Sequence, residues 1–254
     1  MEKILPNEMF YNELASEYDA MISFDKAVES KKAHIKKLIT AEMKSAADIG
    51  CGSGVDSIAL ASLGLKVTAF DPSVEMLKAS KANAEKTNVE IDFQNCPADN
   101  IPREFDKKFD LVVSLGNTFA NIPKEKFSAS LKRCYDILKP NGQLLIQVLN
   151  YEKILNEKKR IVNITEAGDN YFIRFYDFAT EHIVFNILYF SKSNPSNQRL
   201  ISTKIYPHSS ENFKSGLEKA GFSSIQFYSN LELIPLTKNL STDLVIWSEK
   251  NFEF

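Results

Sequence analysis

Short apolar segments of strand length alternate with longer amphipathic segments between about residues 46 and 150. The longer segments carry apolar side chains three and four residues apart, as Phe127 and Leu131 do, which is the spacing of one helix face. Strands that alternate with helices in this way form parallel sheets with helices on both faces. The pattern therefore predicts a doubly wound α/β fold. The predicted strands are residues 46–50, 66–70, 89–94, 109–115 and 143–149, and the predicted helices are residues 55–63, 73–86 and 124–138.

The segments on either side of this region follow other patterns. Residues 1–45 place Tyr11, Leu14 and Tyr18 on one apolar helical face, so we expect helices there. After residue 150, three segments rich in aromatic and β-branched residues are separated by turn sequences, which predicts a small antiparallel sheet. Those segments are residues 171–178, 183–191 and 199–206. A helix over residues 210–220 and strands over residues 224–228 and 243–249 are predicted to complete the main sheet.

Composition argues against several classes of protein. The 254 residues include 31 Lys and Arg against 33 Asp and Glu, a net charge of −2, so no basic surface is expected for nucleic acid or anionic lipid. No segment approaches the roughly 18 consecutive apolar residues of a membrane span, and the N-terminus does not resemble an export signal. Three cysteines without a CxxC pair predict neither a disulfide framework nor a metal site. We expect a cytoplasmic protein with no nucleic-acid or membrane partner.

A glycine-rich turn joins the first predicted strand to the first predicted helix. Residues 48–54 read Asp-Ile-Gly-Cys-Gly-Ser-Gly. Gly50, Gly52 and Gly54 can adopt turn conformations without a Cβ penalty, and they leave peptide N–H groups open to a ligand at a helix N-terminus. A tight strand-to-helix turn without a ligand is the alternative interpretation.

A carboxylate at the end of the second predicted strand narrows these alternatives. Asp71 follows Gly54 by 17 residues, where folds that bind nucleosides or dinucleotides place an acid on the ribose. An ionised carboxylate only accepts hydrogen bonds and can accept two hydroxyl groups at once. Asp71 can also initiate the helix that follows it. The glycine turn and Asp71 together predict a nucleoside or dinucleotide ligand.

The whole constellation resembles the class I S-adenosylmethionine-dependent methyltransferases. From about residue 30 to residue 215 it is most similar to glycine N-methyltransferase and its glycine- and sarcosine-methylating relatives. The segments that carry the resemblance are Gly-Val-Asp-Ser-Ile at residues 54–58, Leu-Gly-Asn-Thr-Phe-Ala at residues 115–120, Asn-Tyr-Glu-Lys-Ile-Leu at residues 150–155 and Tyr-Pro-His at residues 206–208. Val55 and the acidic residue that opens the glycine turn disfavour an NAD enzyme.

The resemblance implies a seven-stranded Rossmann-like sheet in a single methyltransferase domain over residues 1–254. Residues 1–45 would form an N-terminal helical cap, residues 46–150 and 208–250 the cofactor-binding core, and residues 151–207 an antiparallel insertion on the substrate side. The cofactor would be S-adenosyl-L-methionine and the product S-adenosyl-L-homocysteine. The implied cofactor-binding residues are Asp48, Gly50, Cys51, Gly52, Gly54, Asp71, Pro72, Met76, Asn95, Cys96, Leu115 and Gly116.

The adenine edge departs from the family pattern. Pro97 has no N–H and cannot be the backbone donor to the adenine ring. The register that keeps a donor places Asn95 at the adenine amino group and the N–H of Cys96 at the ring. Asp99 is the competing candidate for the amino group.

The resemblance implies a small-molecule methyl acceptor that presents an amine nitrogen. Asn117, Tyr206 and His208 are the candidate catalytic residues. Leu149 stands where the glycine-methylating relatives have a carboxylate-binding arginine, and Ser30 where they have a tyrosine, so we expect glycine to be a poor substrate. The candidate substrate-binding residues are Tyr11, Tyr18, Asn117, Tyr151 and Arg174.

Two other functions fit the same residues. A small-molecule O-methyltransferase requires the same positioned lone pair, and a regulator would bind S-adenosylmethionine without turnover. The oligomeric state stays open at this level.

Overall fold

Two β-sheets make up the strand framework of the computed structural model, which describes residues 4–251. Residues 1–3 of the expected N-terminal cap and residues 252–254 lie outside the described part. The helices are α1 (Asn7–Ile22), α2 (Phe24–Ile35), α3 (Val55–Ser62), α4 (Val74–Lys86), α5 (Lys124–Ile137), α6 (Tyr151–Glu157) and α7 (Ser210–Ala220). The strands are β1 (Ile4–Leu5), β2 (Ser45–Ile49), β3 (Lys66–Phe70), β4 (Ile91–Gln94), β5 (Phe109–Ser114), β6 (Leu138–Leu149), β7 (Ile161–Ala167), β8 (Asn170–Phe178), β9 (Ile183–Ser191), β10 (Gln198–Ile205), β11 (Phe222–Tyr228) and β12 (Asp243–Lys250).

The larger sheet has seven strands in the order β11-β12-β6-β5-β2-β3-β4. Strands β2 to β6 are parallel, whereas β12 runs antiparallel to β6 and β11 antiparallel to β12. Apolar clusters cover both faces of the sheet, one around Phe119 and Leu131 and the other around Leu60 and Val113. This arrangement confirms the predicted doubly wound fold. The strand order reverses between β2 and β5, where ligands bind in sheets of this type.

The smaller sheet has five strands in the order β1-β10-β9-β8-β7, two more than the sequence predicts. Strand β7 is an edge strand whose Ile161 and Ile164 side chains are 60% and 62% exposed, so it lacks the burial that marks strands β8 and β9. Strand β1 is only two residues long and pairs in parallel with β10. A segment that short has no periodicity, so its partner alone defines it as a strand.

Helix α1, which is part of the N-terminal cap, packs against the smaller sheet on one side and contacts the cofactor side of the main sheet on the other. Phe10 and Leu14 pack in one buried cluster with Phe172 and Ile187 of the smaller sheet. At the opposite side of α1, the Asn12 carboxamide oxygen accepts a hydrogen bond from the hydroxyl of Ser73 at 2.7 Å. The two sheets are therefore held on either side of α1, above the ends of strands β2 to β5. Within residues 4–251, no helix combines the length and apolarity needed to cross a membrane.

Candidate active site

The glycine turn after β2 divides its three glycines between packing and open space. All three have positive φ angles. A Cβ on Gly50 would come within 2.2 Å of the Thr118 side chain, and one on Gly54 within 2.3 Å of the Ser80 hydroxyl oxygen. A Cβ on Gly52 would meet nothing within 4 Å. Gly50 and Gly54 therefore allow close packing of the turn, whereas Gly52 borders a cavity.

That cavity has a volume of about 680 Å³ and lies at the carboxyl ends of the parallel strands. Most of the cofactor-binding residues implied by the resemblance line it: Gly50, Cys51, Gly52, Asp71, Pro72, Met76, Asn95, Cys96, Leu115 and Gly116. Asp48 and Gly54 are not among the lining residues. The volume lies within the range of sites for ligands of nucleoside size and larger.

Asp71 presents a buried carboxylate to this cavity. Its Oδ2 accepts a hydrogen bond from the Gly52 N–H at 2.9 Å and its Oδ1 one from the Ser73 N–H at 2.8 Å. Burial raises the pKa of Asp71 to about 6, and these two hydrogen bonds oppose the rise. A carboxylate has about four lone-pair sites, so each oxygen retains capacity for one hydroxyl group. Asp71 thus braces the glycine turn and can still accept hydrogen bonds from a ribose.

Asp48, near the end of β2, connects this strand to α3 on the protein side of the glycine turn. The side chain is buried, and its Oδ2 accepts a hydrogen bond from the Ser57 hydroxyl on α3 at 2.5 Å. Burial raises the pKa of Asp48, and the nearby Asp56 raises it further. The resemblance implies a cofactor contact for Asp48, whereas the structure shows its carboxylate hydrogen-bonded to α3 and outside the cavity lining.

The three residues considered for the adenine edge, Asn95, Cys96 and Asp99, all line the cavity. The Asn95 Nδ2 donates hydrogen bonds to the carbonyl oxygens of Asp71 at 3.0 Å and Pro72 at 2.8 Å. The N–H of Cys96, the expected donor to the ring, already donates to the Gln94 carbonyl at 3.2 Å. Asp99 forms an ion pair with Lys126 at 3.0 Å. Asn95 and Asp99 therefore both stay candidates for the contact with the adenine amino group.

The cavity fits S-adenosylmethionine on two structural observations. Gly52 and Gly116 both border open space at positive φ, so a Cβ at either position would project into the volume a ligand needs. The hydroxyl oxygen of Ser53, which also lines the cavity, is buried without a hydrogen-bond partner in the described residues. A buried unpaired hydroxyl costs free energy that a polar ligand atom would recover.

A second cavity of about 250 Å³ adjoins the first at Gly116. Tyr11, Tyr18 and Arg174 line both cavities, so they lie where the two meet. We call the smaller one the acceptor cavity. The remaining lining residues include Asn117, Asn121, Gln147, Leu149, Tyr176 and Asp243.

Asn117 is held rigidly at the edge of the acceptor cavity. Its φ of 77° is in the left-handed region, which asparagine tolerates better than most residues. Its Nδ2 donates to the Tyr151 hydroxyl oxygen at 2.7 Å, and its Oδ1 accepts from the Leu149 N–H at 3.0 Å. Tyr151 is buried and lines neither cavity. Tyr151 therefore positions Asn117 and does not face the acceptor.

Tyr206 and His208 lie away from both cavities. The Tyr206 N–H donates to the Ala120 carbonyl at 2.7 Å. The His208 ring stacks on Phe127 with 4.0 Å between ring centroids, and its Nε2 donates to the Ile122 carbonyl at 2.9 Å. Burial lowers the pKa of His208. The structure does not bring these two candidates together with Asn117, because the chain turns into the apolar core after β10.

Arg174 is the only cationic side chain that lines the acceptor cavity in the described part of the chain. Its Nε donates to the Asn163 side chain at 2.6 Å, and it forms no ion pair with any residue described. Burial lowers the pKa of Arg174. The sequence analysis gives Arg174 as a candidate substrate-binding residue, and strand β8 places it at the lining of both cavities.

Four polar residues that the sequence analysis missed link the two cavities. Lys31 on α2 donates to the Gln147 Oε1 at 2.7 Å and lies 3.5 Å from the Asp56 carboxylate. Lys31 and Asp56 line the larger cavity, and Gln147 and Asp243 line the acceptor cavity. Gln147 is a polar residue within the otherwise apolar residues 144–149, and this interruption is a sequence signal for a functional position. Lys31 lies in a basic helical segment and carries no such signal.

Comparison with known proteins agrees with this geometry. A family model described as a methyltransferase domain matches residues 46–142. The glycine/sarcosine N-methyltransferase of Aphanothece halophytica is 27% identical over 200 residues, which cover 78% of this chain and 73% of that protein. The ubiquinone biosynthesis O-methyltransferase of Bradyrhizobium diazoefficiens is 36% identical over 104 residues, which cover 41% of this chain and only 39% of that protein.

A solved structure shows the same fold over nearly the whole chain. The S-adenosylmethionine-dependent methyltransferase of Clostridium acetobutylicum superposes with a TM-score of 0.77 at 14% sequence identity, covering 95% of this chain and 99% of that one. The matched domain, the seven-stranded sheet and the glycine turn facing Asp71 agree with one another. Together these findings support a class I S-adenosylmethionine-dependent methyltransferase with S-adenosylmethionine as its cofactor.

Proposed function

We propose that this protein transfers a methyl group from S-adenosylmethionine to an amine nitrogen of a small molecule. The observation that carries the proposal is the acceptor cavity, which meets the larger cavity at Gly116. We call the larger one the cofactor cavity. A lone pair held there would lie beside the cofactor cavity and out of bulk water. Alignment of two reactants in this way supplies several kcal/mol of barrier lowering.

The residues that would hold the cofactor follow from the larger cavity. Asp71 would accept the ribose hydroxyls, and the open peptide at Gly52 would lie against the ligand. The backbone of Leu115 and Gly116 would lie at the methionine ammonium. S-adenosylmethionine supplies a methyl group on a positively charged sulfur, which is already activated for transfer.

Two findings favour nitrogen over oxygen as the methylated atom. The alignment with the glycine/sarcosine N-methyltransferase extends over 78% of this chain, whereas the alignment with the ubiquinone O-methyltransferase extends over 41%. The rings of Tyr11, Tyr18 and Tyr176 line the acceptor cavity, and aromatic faces attract cationic amines. An O-methyltransferase on the same residues is the second candidate.

Glycine itself fits the acceptor cavity poorly. Leu149 lines the cavity and offers no charge to a carboxylate, which leaves Arg174 as the only cationic side chain at this cavity in the described part of the chain. The volume of about 250 Å³ also exceeds what so small a molecule fills, since a water in the liquid takes about 30 Å³. We therefore propose a larger amine as the acceptor.

A screen of acceptors tests the proposal directly. The purified chain is incubated with S-adenosylmethionine and with panels of amines, phenols and carboxylic acids, and formation of S-adenosylhomocysteine is measured. We expect turnover with amines larger than glycine and little turnover with glycine. Mass spectrometry of the product then locates the methyl group on nitrogen.

Three results would contradict parts of the proposal. Methylation confined to phenols would favour the O-methyltransferase. Rapid sarcosine formation from glycine would contradict the size and charge argument. Tight cofactor binding in calorimetry without turnover of any acceptor would favour a regulator.

A further inference from the structure

Asp243 occupies a rigid position at the edge of the acceptor cavity. It begins strand β12, directly opposite Leu149 of β6 in the antiparallel register. The preceding segment is clamped by Asn150, whose N–H donates to the Thr242 carbonyl at 2.9 Å and whose Nδ2 donates to the Ser241 carbonyl at 2.9 Å. The backbone that carries the Asp243 carboxylate is therefore fixed to the end of β6.

The Asp243 carboxylate is the only acidic group that lines the acceptor cavity in the described part of the chain. No lysine or arginine between residues 4 and 251 forms an ion pair with it. Burial raises the pKa of Asp243; a hydrogen bond from Gln147 and the more distant charge of Lys31 lower it. A half-buried carboxylate without an ion-pair partner is costly, and a cationic ligand relieves that cost.

The other titratable groups around the acceptor cavity are unsuited to take a proton from an amine. Burial raises the pKa of Tyr11 to about 12 and raises that of Tyr18 as well, so both phenols stay protonated at neutral pH. Burial also raises the pKa of Tyr176 to about 12. Arg174 carries no lone pair for a proton. Asp243 alone combines a negative charge with a place in the cavity.

We propose that Asp243 binds the amine of the methyl acceptor and accepts the proton that the amine loses. The inference rests on the proposed N-methyltransferase function and names the residue that activates the nucleophile. A proton passes from the ammonium group to the Asp243 carboxylate, which frees the nitrogen lone pair. The lone pair forms the bond to the methyl carbon, and the electron pair of the carbon–sulfur bond goes to sulfur. The methylated ammonium leaves, and Asp243 returns its proton to water.

The Gln147 side chain orients Asp243 from the cofactor side. Gln147 is the diagonal neighbour of Asp243 across the β6–β12 pair and accepts a hydrogen bond from Lys31 at 2.7 Å, and Lys31 lines the cofactor cavity. The charged groups facing Asp243 are thus Lys31 on α2 and Arg174 on β8, with the tyrosines on α1 and β8. Gln147 is a positioning residue, since it acts through Asp243.

The test uses Asp243→Asn, which keeps the shape of the side chain but removes its charge. The control is Glu249→Gln, which removes a half-buried acid from the far end of the same strand. For each protein, calorimetry measures binding of S-adenosylmethionine, and then binding of an accepted amine to the complex with S-adenosylhomocysteine. Kinetics with the same amine measure kcat and KM over pH 6 to 9.

We expect Asp243→Asn to bind S-adenosylmethionine within about twofold of the wild type. Its kcat/KM for the amine should fall by about 100-fold, the usual contribution of a positioned acid–base group. Amine binding to the S-adenosylhomocysteine complex should weaken, and Asp243→Glu should recover part of the activity. Glu249→Gln should match the wild type throughout.

The outcomes separate this inference from the function on which it rests. Wild-type turnover of amines with unchanged kinetics and amine binding in Asp243→Asn would overturn the role of Asp243 and leave the N-methyltransferase standing. Loss of S-adenosylmethionine binding in Asp243→Asn would assign the residue to the cofactor site instead. Failure of the wild type to bind or methylate any amine would overturn the proposed function and this inference together.

Discussion

At the scale of single residues, Asp71 is fixed by backbone hydrogen bonds and lines the cofactor cavity. It accepts backbone hydrogen bonds from Gly52 and Ser73, and so fixes the glycine turn against the start of α4. The same carboxylate faces the cofactor cavity. The N-cap of α4 is Ser73, whose hydroxyl oxygen accepts a hydrogen bond from the Met76 N–H at 3.1 Å, so the interpretation of Asp71 as the helix-initiating residue is wrong. The role of Asp71 as ribose acceptor stays a prediction.

The raised pKa of Asp71, about 6, predicts that cofactor binding weakens in mild acid. Ribose hydroxyls bind the ionised carboxylate, and the protonated fraction of the free protein rises from about one tenth at pH 7 to about nine tenths at pH 5. We expect the affinity for S-adenosylmethionine to fall about tenfold over that interval, measured by calorimetry. Asp71→Asn should bind weakly at both pH values, and a flat profile in the wild type would contradict the assignment.

Protonation of Asp71 is not expected to cause this loss of affinity by unfolding the protein. A carboxylate whose pKa is higher in the folded than in the unfolded state favours folding more as it becomes protonated. The contribution of Asp71 to the free energy of unfolding therefore increases as the pH falls through 6. Thermal denaturation at pH 5 and pH 7 separates the two effects.

At the scale of elements, the turn between β2 and α3 places a glycine with positive φ at the lining of the cofactor cavity. Gly52 and Gly64 form a matched pair, since both have positive φ and a Cβ on either would meet nothing within 4 Å. Gly52 lines the cofactor cavity, whereas Gly64 is exposed between α3 and β3. The two glycines thus differ in what lies in front of them.

Alanine at these two positions should separate backbone strain from ligand exclusion. Both Gly52→Ala and Gly64→Ala place a Cβ at positive φ and should lose about 1–2 kcal/mol of stability in urea denaturation. Gly52→Ala should also weaken S-adenosylmethionine binding by at least tenfold in calorimetry, because its methyl group enters the cavity. Equal cofactor affinities in the two variants would mean that the ligand does not lie against Gly52.

At the scale of the whole molecule, the two sheets share buried side chains. Ala120 and Tyr151 from the main-sheet side pack in one cluster with Tyr176, Ile183 and Ile205 of the smaller sheet. The acceptor cavity lies within this junction, between the ends of the parallel strands and strand β8. A unit held together in this way is expected to unfold as one.

The single tryptophan makes this expectation measurable. Trp247 lies on β12 of the main sheet and reports on that sheet alone, whereas far-ultraviolet circular dichroism reports on both sheets. We propose one domain, for which urea transitions followed by the two signals coincide. A circular dichroism transition that begins before the tryptophan signal changes would show that the smaller sheet unfolds separately.

The doubly wound core is predictable from the sequence alone, as are most of the residues that line the cofactor cavity. Alternating periodicity, glycines at a strand–helix junction and an acid at the next strand end are local patterns, and parallel strands bring such ends to one edge of the sheet. Asp71, Gly52 and Gly116, which the sequence analysis implies as cofactor-binding residues, all line this cavity.

The set of distant side chains that completes the acceptor cavity depends on tertiary packing. Gln147, Arg174 and Asp243 come from three separate strands, and strand pairing and packing determine which way each one faces. His208 illustrates the reverse case, because its neighbours in sequence suggest chemistry but its ring stacks on Phe127 in the core. Local patterns record the conformation of a segment, whereas the direction of a side chain depends on contacts far away in the chain.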